Sequence, residues 1–390
     1  MGNAALIAFV CLLAPRNQMP EVVVHTFAGR QPAAKLLEID ADFSVKLGQP
    51  PIRIAGPELV SLRQVGSAEP GLPQSPYVEL TTGDILPLAL PLALRLDDDA
   101  LHAQLAAPVA MADFHVPHAA VARIAFAGAQ RPPANRHGDL LILRNGDRLE
   151  GKLIGLDDKT GASLMAAGRK ETIPLERIAQ IAFDPEFQAR PRPKSSYADI
   201  VLAGGTRLAV AKLTSAGHQL TALSLLGQSF TVPAKSLIAL RVRQGTAIYL
   251  DEMAPAAYEA TPFLDVAWPL ATGRTLLSQP LRLGKDVFPL GVGMHSLSKV
   301  TYDLPAGSTW FEAKVGADLR AGMHAAVTID VELDGKPAPG VLQVLKAGDS
   351  PASLRVDLKG ATKLTLVTGL GPLGDVQGHA LWVDARILKK

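Results

Sequence analysis

The chain has 390 residues, room for about two to four domains of ordinary size, and its 48% apolar content is ample for packed cores. With 39 basic against 37 acidic residues the net charge is +2, which removes any global electrostatic case for nucleic acid or an anionic membrane surface. Runs with the helical period are scarce, while 34 glycines and 30 prolines punctuate many short apolar segments, the pattern of an all-β chain.

The chain opens with an apolar run from Ala4 to Ala14 that contains the single cysteine, Cys11. The run is shorter than the ~20 residues needed to cross a bilayer and has the length of a signal-peptide hydrophobic region. Residues 1–19 are therefore read as a signal peptide, without the usual preceding Lys or Arg. The mature protein is expected to be secreted or periplasmic, in the cell envelope, with no stable membrane span and no disulfide.

Residues 20–244 read as four copies of one unit with a period near 60, at 20–66, 77–128, 138–185 and 197–244. Each opens with a strand and a glycine-containing turn: Val23 to Gly29, Val78 to Asp84, Leu141 to Asp147, Ile200 to Thr206. In three of the four, glycine supplies the positive φ of a tight hairpin turn. The last three copies also close alike, on Val116-Pro117, Ile173-Pro174 and Val232-Pro233, each followed by an Ile/Leu/Ala strand. In the first copy Pro57 is displaced. The pattern resembles a five-stranded Sm-like or SH3-like small barrel. The proline-rich joints 66–76, 129–136 and 185–196 read as extended spacers, the last made basic by Arg190, Arg192 and Lys194.

Beyond residue 258 the alternation continues. Val327, Ile329, Val331 and Leu333 alternate with Thr328, Asp330 and Glu332, and Leu354, Val356 and Leu358 repeat the pattern. Short alternating strands separated by turns predict a β-sandwich over 258–390.

No motif for nucleophilic, metal-dependent or phosphate chemistry is present: no Gly-x-Ser-x-Gly, no His-Glu-x-x-His, no P-loop and no cysteine pair. The chain is accordingly read as a non-enzyme, without catalytic residues, metal or cofactor. All three tryptophans, Trp268, Trp310 and Trp382, fall in the last third. Trp268 and Trp310 sit among apolar neighbours and are read as core. Trp382 is read as sharing a strand face with Asp384 and Arg386.

Two runs stand out here, Gly291-Val-Gly-Met-His-Ser-Leu-Ser298 and Gly378-His-Ala-Leu-Trp-Val-Asp-Ala-Arg386. Between them lie Tyr302-Asp-Leu304, Trp310-Phe-Glu-Ala-Lys-Val-Gly316 and Leu333-Asp-Gly-Lys336. This ordered series resembles the NPCBM family of carbohydrate-binding modules, which are jelly-roll, galactose-binding-like sandwiches. The resemblance implies a glycan or cell-surface polysaccharide as partner, bound through His295, His379, Trp382, Asp375 and Asp384. In the family the closing run reads Asp-His-Ala-Asp-Trp-Ala-Asp-Ala. Gly378 and Leu381 stand where it has two of those carboxylates, which removes acceptors or calcium ligands. The alternative is a structural or protein-interaction module of the envelope that has lost sugar binding.

Overall fold

The computed structural model describes residues 19–74, 76–97, 99–127, 136–188, 193, 195–261 and 267–390. The signal-peptide reading and the basic triplet Arg190, Arg192 and Lys194 lie outside them. The described residues are all-β, with only short 3-10 turns between antiparallel strands. No helix among them is long and apolar enough to cross a membrane.

Residues 20–244 repeat one local plan four times. The first strand of each stretch pairs antiparallel with its last: Glu21–Thr26 with Leu59–Gln64, Tyr77–Leu80 with Val121–Ala125, Asp139–Leu143 with Ile178–Ala182, and Tyr197–Leu202 with Leu237–Arg243. A 3-10 turn precedes every last strand, at Gly56–Glu58, His118–Ala120, Leu175–Arg177 and Ala234–Ser236. The closing prolines have a structural task here. Pro117, Pro174 and Pro233 each cap one of these turns with φ between −53° and −61°, the value the ring imposes, and so fix where the chain leaves the preceding strand. Pro57 lies inside its turn, which accounts for its displacement.

The stretches do not keep to themselves. Leu59–Gln64 also pairs with Leu237–Arg243, and Val121–Ala125 with Ile178–Ala182, so the first stretch adjoins the fourth and the second adjoins the third. One network of 22 described strands results, over one apolar core that runs from Met19 to Val242. The joint at 66–76 is not a free spacer either. Glu69 is buried against Arg241, and Gly205 approaches the Gly71 carbonyl so closely that a side chain there would collide with it.

The C-terminal body is a sandwich of two six-stranded sheets. One carries Gly291–His295, His379–Lys389, Ser308–Ala317 and Ala352–Asp357; the other carries Ser298–Asp303, Lys363–Leu370 and Ala326–Leu333. The body begins earlier than residue 258, because Ala247–Tyr249 pairs with the far end of the last strand. Trp382, Phe311, Tyr302, Met294, Ile329 and Leu366 meet in its interlayer core.

The last strand changes face part-way along. At Asp384, φ is +49° and the pairing with Ser308–Ala317 slips by one residue. Such a bulge inverts the alternation. Before it Ala380 and Trp382 point into the core; after it Ala385 and Ile387 do. Leu381 and Val383 lie on the opposite face, covered by the hairpin Leu281–Leu283 and Asp286–Phe288.

The two bodies meet along a mixed seam. Val60, Tyr249, Leu290 and Leu388 form an apolar cluster. Around it Arg63 pairs with Asp286 at 2.6 Å, Arg241 with Asp384 at 3.2 Å, and His25 with Glu312 at 2.9 Å.

Candidate functional site

His295 ends one strand and His379 begins its neighbour, and the register places them directly opposite each other. Cross-strand neighbours sit about 5 Å apart at Cβ, so the two imidazoles must touch. Their ring centroids are 5.1 Å apart at 65°. Trp268 completes the group: its indole stacks on His295 at 5.2 Å and 9°, and meets the edge of His379 at 5.1 Å and 63°. The Tyr258 hydroxyl donates to the Trp268 carbonyl at 2.8 Å and anchors that segment. Both histidines are buried and Trp268 is half-buried.

A polar rim surrounds the rings. Ser296 Oγ donates to Asp375 Oδ1, and that carboxylate oxygen lies 3.4 Å from His295 Nδ1. Asp318 N–H donates to the His379 carbonyl at 2.8 Å. Its carboxylate caps the next turn through Arg320 N–H, leaving buried Oδ2 without a hydrogen-bond partner among the described residues. Gln377 lies across Gly322, where any side chain would collide with it, and accepts from His324 N–H at 3.0 Å.

The rim is electrically asymmetric. Burial, and then the neighbouring His295, push the His379 imidazole down to about 4 against the pull of Asp375, so the ring is neutral at ordinary pH. Its buried Nδ1 has no partner among the described residues. Burial raises the Asp318 carboxyl, opposed by its hydrogen bond from Arg320. A neutral imidazole offers one donor and one acceptor, and a carboxylate offers acceptors, which is the set a hydroxylated ligand requires. Among the described residues no cluster of His, Cys, Asp and Glu could hold a metal ion.

The departures at Gly378 and Leu381 have local causes. A Cβ at Gly378 would lie 2.9 Å from Ser296 Cβ, and Ser296 holds Asp375 at that spot. Leu381 packs under the hairpin against Leu281, Leu283 and Phe288, where a carboxylate would be desolvated.

Of the five residues read from the sequence as ligand contacts, the structure brings His295, His379 and Asp375 together. Trp382 is not with them. It is fully buried in the interlayer core, its indole N–H donating to Thr368 Oγ1 at 3.3 Å. Asp384 is also elsewhere, at the seam against Arg241. The expectation of a face shared by Trp382, Asp384 and Arg386 is corrected by the bulge, which turns Trp382 inward and Arg386 outward to Glu312. Trp268, read as core, belongs to the site. No local signal marked it, since a following proline such as Pro269 is equally compatible with a buried strand residue, as at Val116, Ile173 and Val232.

Residues 247–388 match the NPCBM/NEW2 domain family. Solved structures that match the chain include the CBM51 module of a Clostridium perfringens GH95 enzyme in complex with methyl-galactose, 21% identical over 36% of this chain and 99% of that one, with a TM-score of 0.33. A second is the CBM51-2 and INT domains of Clostridium perfringens ZmpB in complex with GlcNAc, 19% identical over 51% of this chain and 40% of that one, with a TM-score of 0.34. A third is the tandem CBM51 modules of a family 98 glycoside hydrolase from Streptococcus pneumoniae, 12% identical over 66% and 89%, with a TM-score of 0.32. No curated protein sequence matches the chain.

Proposed function

We propose that the protein is a non-catalytic glycan-binding protein of the cell exterior or envelope, and that its NPCBM domain takes a saccharide at Trp268, His295 and His379. The observation that carries this reading is the mutual contact of those three rings beside the Asp375 carboxylate at one end of the sandwich. An aromatic group packs against the C–H face of a sugar, and the neutral His379 imidazole and a carboxylate serve its hydroxyls. A single small site of this kind supports affinities of roughly micromolar to millimolar. In this reading residues 20–244 are four Sm-like or SH3-like barrel copies, supported by the repeated first-to-last strand pairing and the 3-10 turn before each last strand. Their task is to space and present the sandwich.

Affinity electrophoresis against immobilised polysaccharides, followed by titration with the retarding oligosaccharide, tests the assignment. Trp268→Ala and His379→Ala are expected to weaken binding about tenfold or more while the chain stays folded and melts cooperatively. Binding equal to the parent in both variants would remove the site.

One observation favours a second reading, a protein-docking module. Leu319, Met323, Leu373 and Val376 are exposed on the loops that carry Asp318, Gly322 and Asp375, Met323 by 85%. Under that reading Met323→Asp abolishes capture of an envelope protein, and no polysaccharide retards the chain.

A further inference from the structure

The seam between the two bodies encloses an open cleft of about 720 Å³, within the usual range for ligand sites, and body-to-body junctions are where such sites concentrate. It is remote from the Trp268 group. Arg386 on its wall lies seven positions beyond His379 on the same strand, a distance of about 23 Å.

Its charges do not balance. Four carboxylates on its walls are all engaged: Asp286 by Arg63, Glu69 and Asp384 by Arg241, and Glu312 by Arg355 and Arg386, with His25 also on Glu312. Arg30, Lys285 and Lys314 line the same cleft, and none has a carboxylate within ion-pair distance among the described residues, although Lys314 acts on Asp384 from further off and its ammonium lies 5.5 Å from the Phe288 ring centre. Glu312 is held ionised, since His25 and Arg386 outweigh the burial that opposes its charge and keep it at about 2. The surplus is therefore positive and comes from both bodies, Arg30 from the N-terminal one and the two lysines from the sandwich.

The base of the cleft is closed: Arg241 and Glu69, which line it, are buried, and Arg241 Nη1 and Glu69 Oε2 are shut off from solvent, with no hydrogen-bond partner among the described residues. A ligand therefore meets the charged walls above them, and the volume of about 720 Å³ is far larger than a bare sulfate or phosphate fills.

We propose that this junction cleft is a second, separate ligand site, and that it takes an acidic saccharide. The carboxylate or sulfate ester lies between Arg30 and the Lys285 and Lys314 ammonium groups, and the body of the saccharide fills the cleft between the two walls. Such a ligand touches both bodies and holds their relative setting.

Calorimetric titration of the full chain tests this with four probes: galactotriose, trigalacturonate, a sulfated galactotriose and inorganic sulfate. At least one acidic trisaccharide is expected to bind about tenfold or more tightly than galactotriose, and to weaken as salt rises. Lys285→Glu with Lys314→Glu should remove that advantage, and so should Arg30→Glu on the opposite wall, which guards against a fold defect in the double variant. Trp268→Ala should leave it intact, which separates this site from the first. The proposal is overturned if neither acidic trisaccharide outbinds the neutral one, if both charge variants bind as the parent does, if Trp268→Ala removes the effect, or if inorganic sulfate binds as tightly as the trisaccharides.

Discussion

At the scale of single residues, the site rests on where two histidines fall in a strand register and on which tryptophan joins them. His295 and His379 were legible as a pair because each occupies a distinctive run. Their meeting follows from the pairing alone. Trp382 and Trp268 exchanged places relative to the sequence reading because apolar neighbours do not tell burial from a half-buried loop position. The inward turn of Trp382 depends on a bulge two residues later, which the sequence does not announce. His379 also leaves a signature in stability. Its pKa falls from 6.5 in the unfolded chain to about 4 in the fold. Between those values the unfolded state takes up a proton that the folded state refuses, so stability falls as pH drops through that window and is flat above it. The loss is on the order of 1–2 kcal/mol, discounted for partial solvent screening. Urea midpoints measured from pH 7 to pH 4 should fall in the parent and fall less in His379→Gln; equal slopes would mean that the ring is not held neutral.

At the scale of elements, the repeated units were the more readable part. Gly-containing turns and Val-Pro or Ile-Pro closures mark strand ends through fixed backbone angles, and those are local properties of the chain. What joins one unit to the next is not local, so the edge pairings of 59–64 with 237–243 and of 121–125 with 178–182 left no trace in the sequence. The bulge at Asp384 lies between these cases. A non-glycine residue at φ +49° is tolerated by Asp and Asn far better than by a β-branched residue. Asp384→Asn and Asp384→Val both remove the charge that faces Arg241, and only the second also strains the backbone. Asp384→Val is expected to be less stable than Asp384→Asn by about 1–2 kcal/mol in chemical denaturation. Equal stabilities would show that the bulge does not depend on this conformation.

At the scale of the whole molecule, the two bodies are joined by a small apolar cluster and a ring of ion pairs, of which Glu312 is the centre. One carboxylate, 7% exposed, serves His25 from the first body and Arg355 and Arg386 from the second. Arg355 also reaches the Phe27 carbonyl across the seam at 2.9 Å. The carboxyl stands near 4.5 in the unfolded chain and at about 2 in the fold, so its contribution is present above pH 4.5 and is lost as pH falls toward 2. Glu312→Gln should flatten the acid limb of the stability curve below pH 4.5 and cost about 3 kcal/mol at neutral pH, because it leaves buried cations without their counter-charge. An unchanged acid limb would assign the junction's strength to the Val60, Tyr249 and Leu388 cluster instead.

The pairing of Leu62 with Leu240 spans 178 positions of the chain. During synthesis the 59–64 strand is made long before the strand that will cover its side, and at ordinary elongation rates the wait is about ten to forty seconds. Throughout that interval the nascent protein presents a bare β-edge, the kind of surface on which neighbouring chains add to one another. Completion of the first unit is thus tied to the arrival of the fourth, and efficient production depends on whatever shields that edge while the ribosome is still at work.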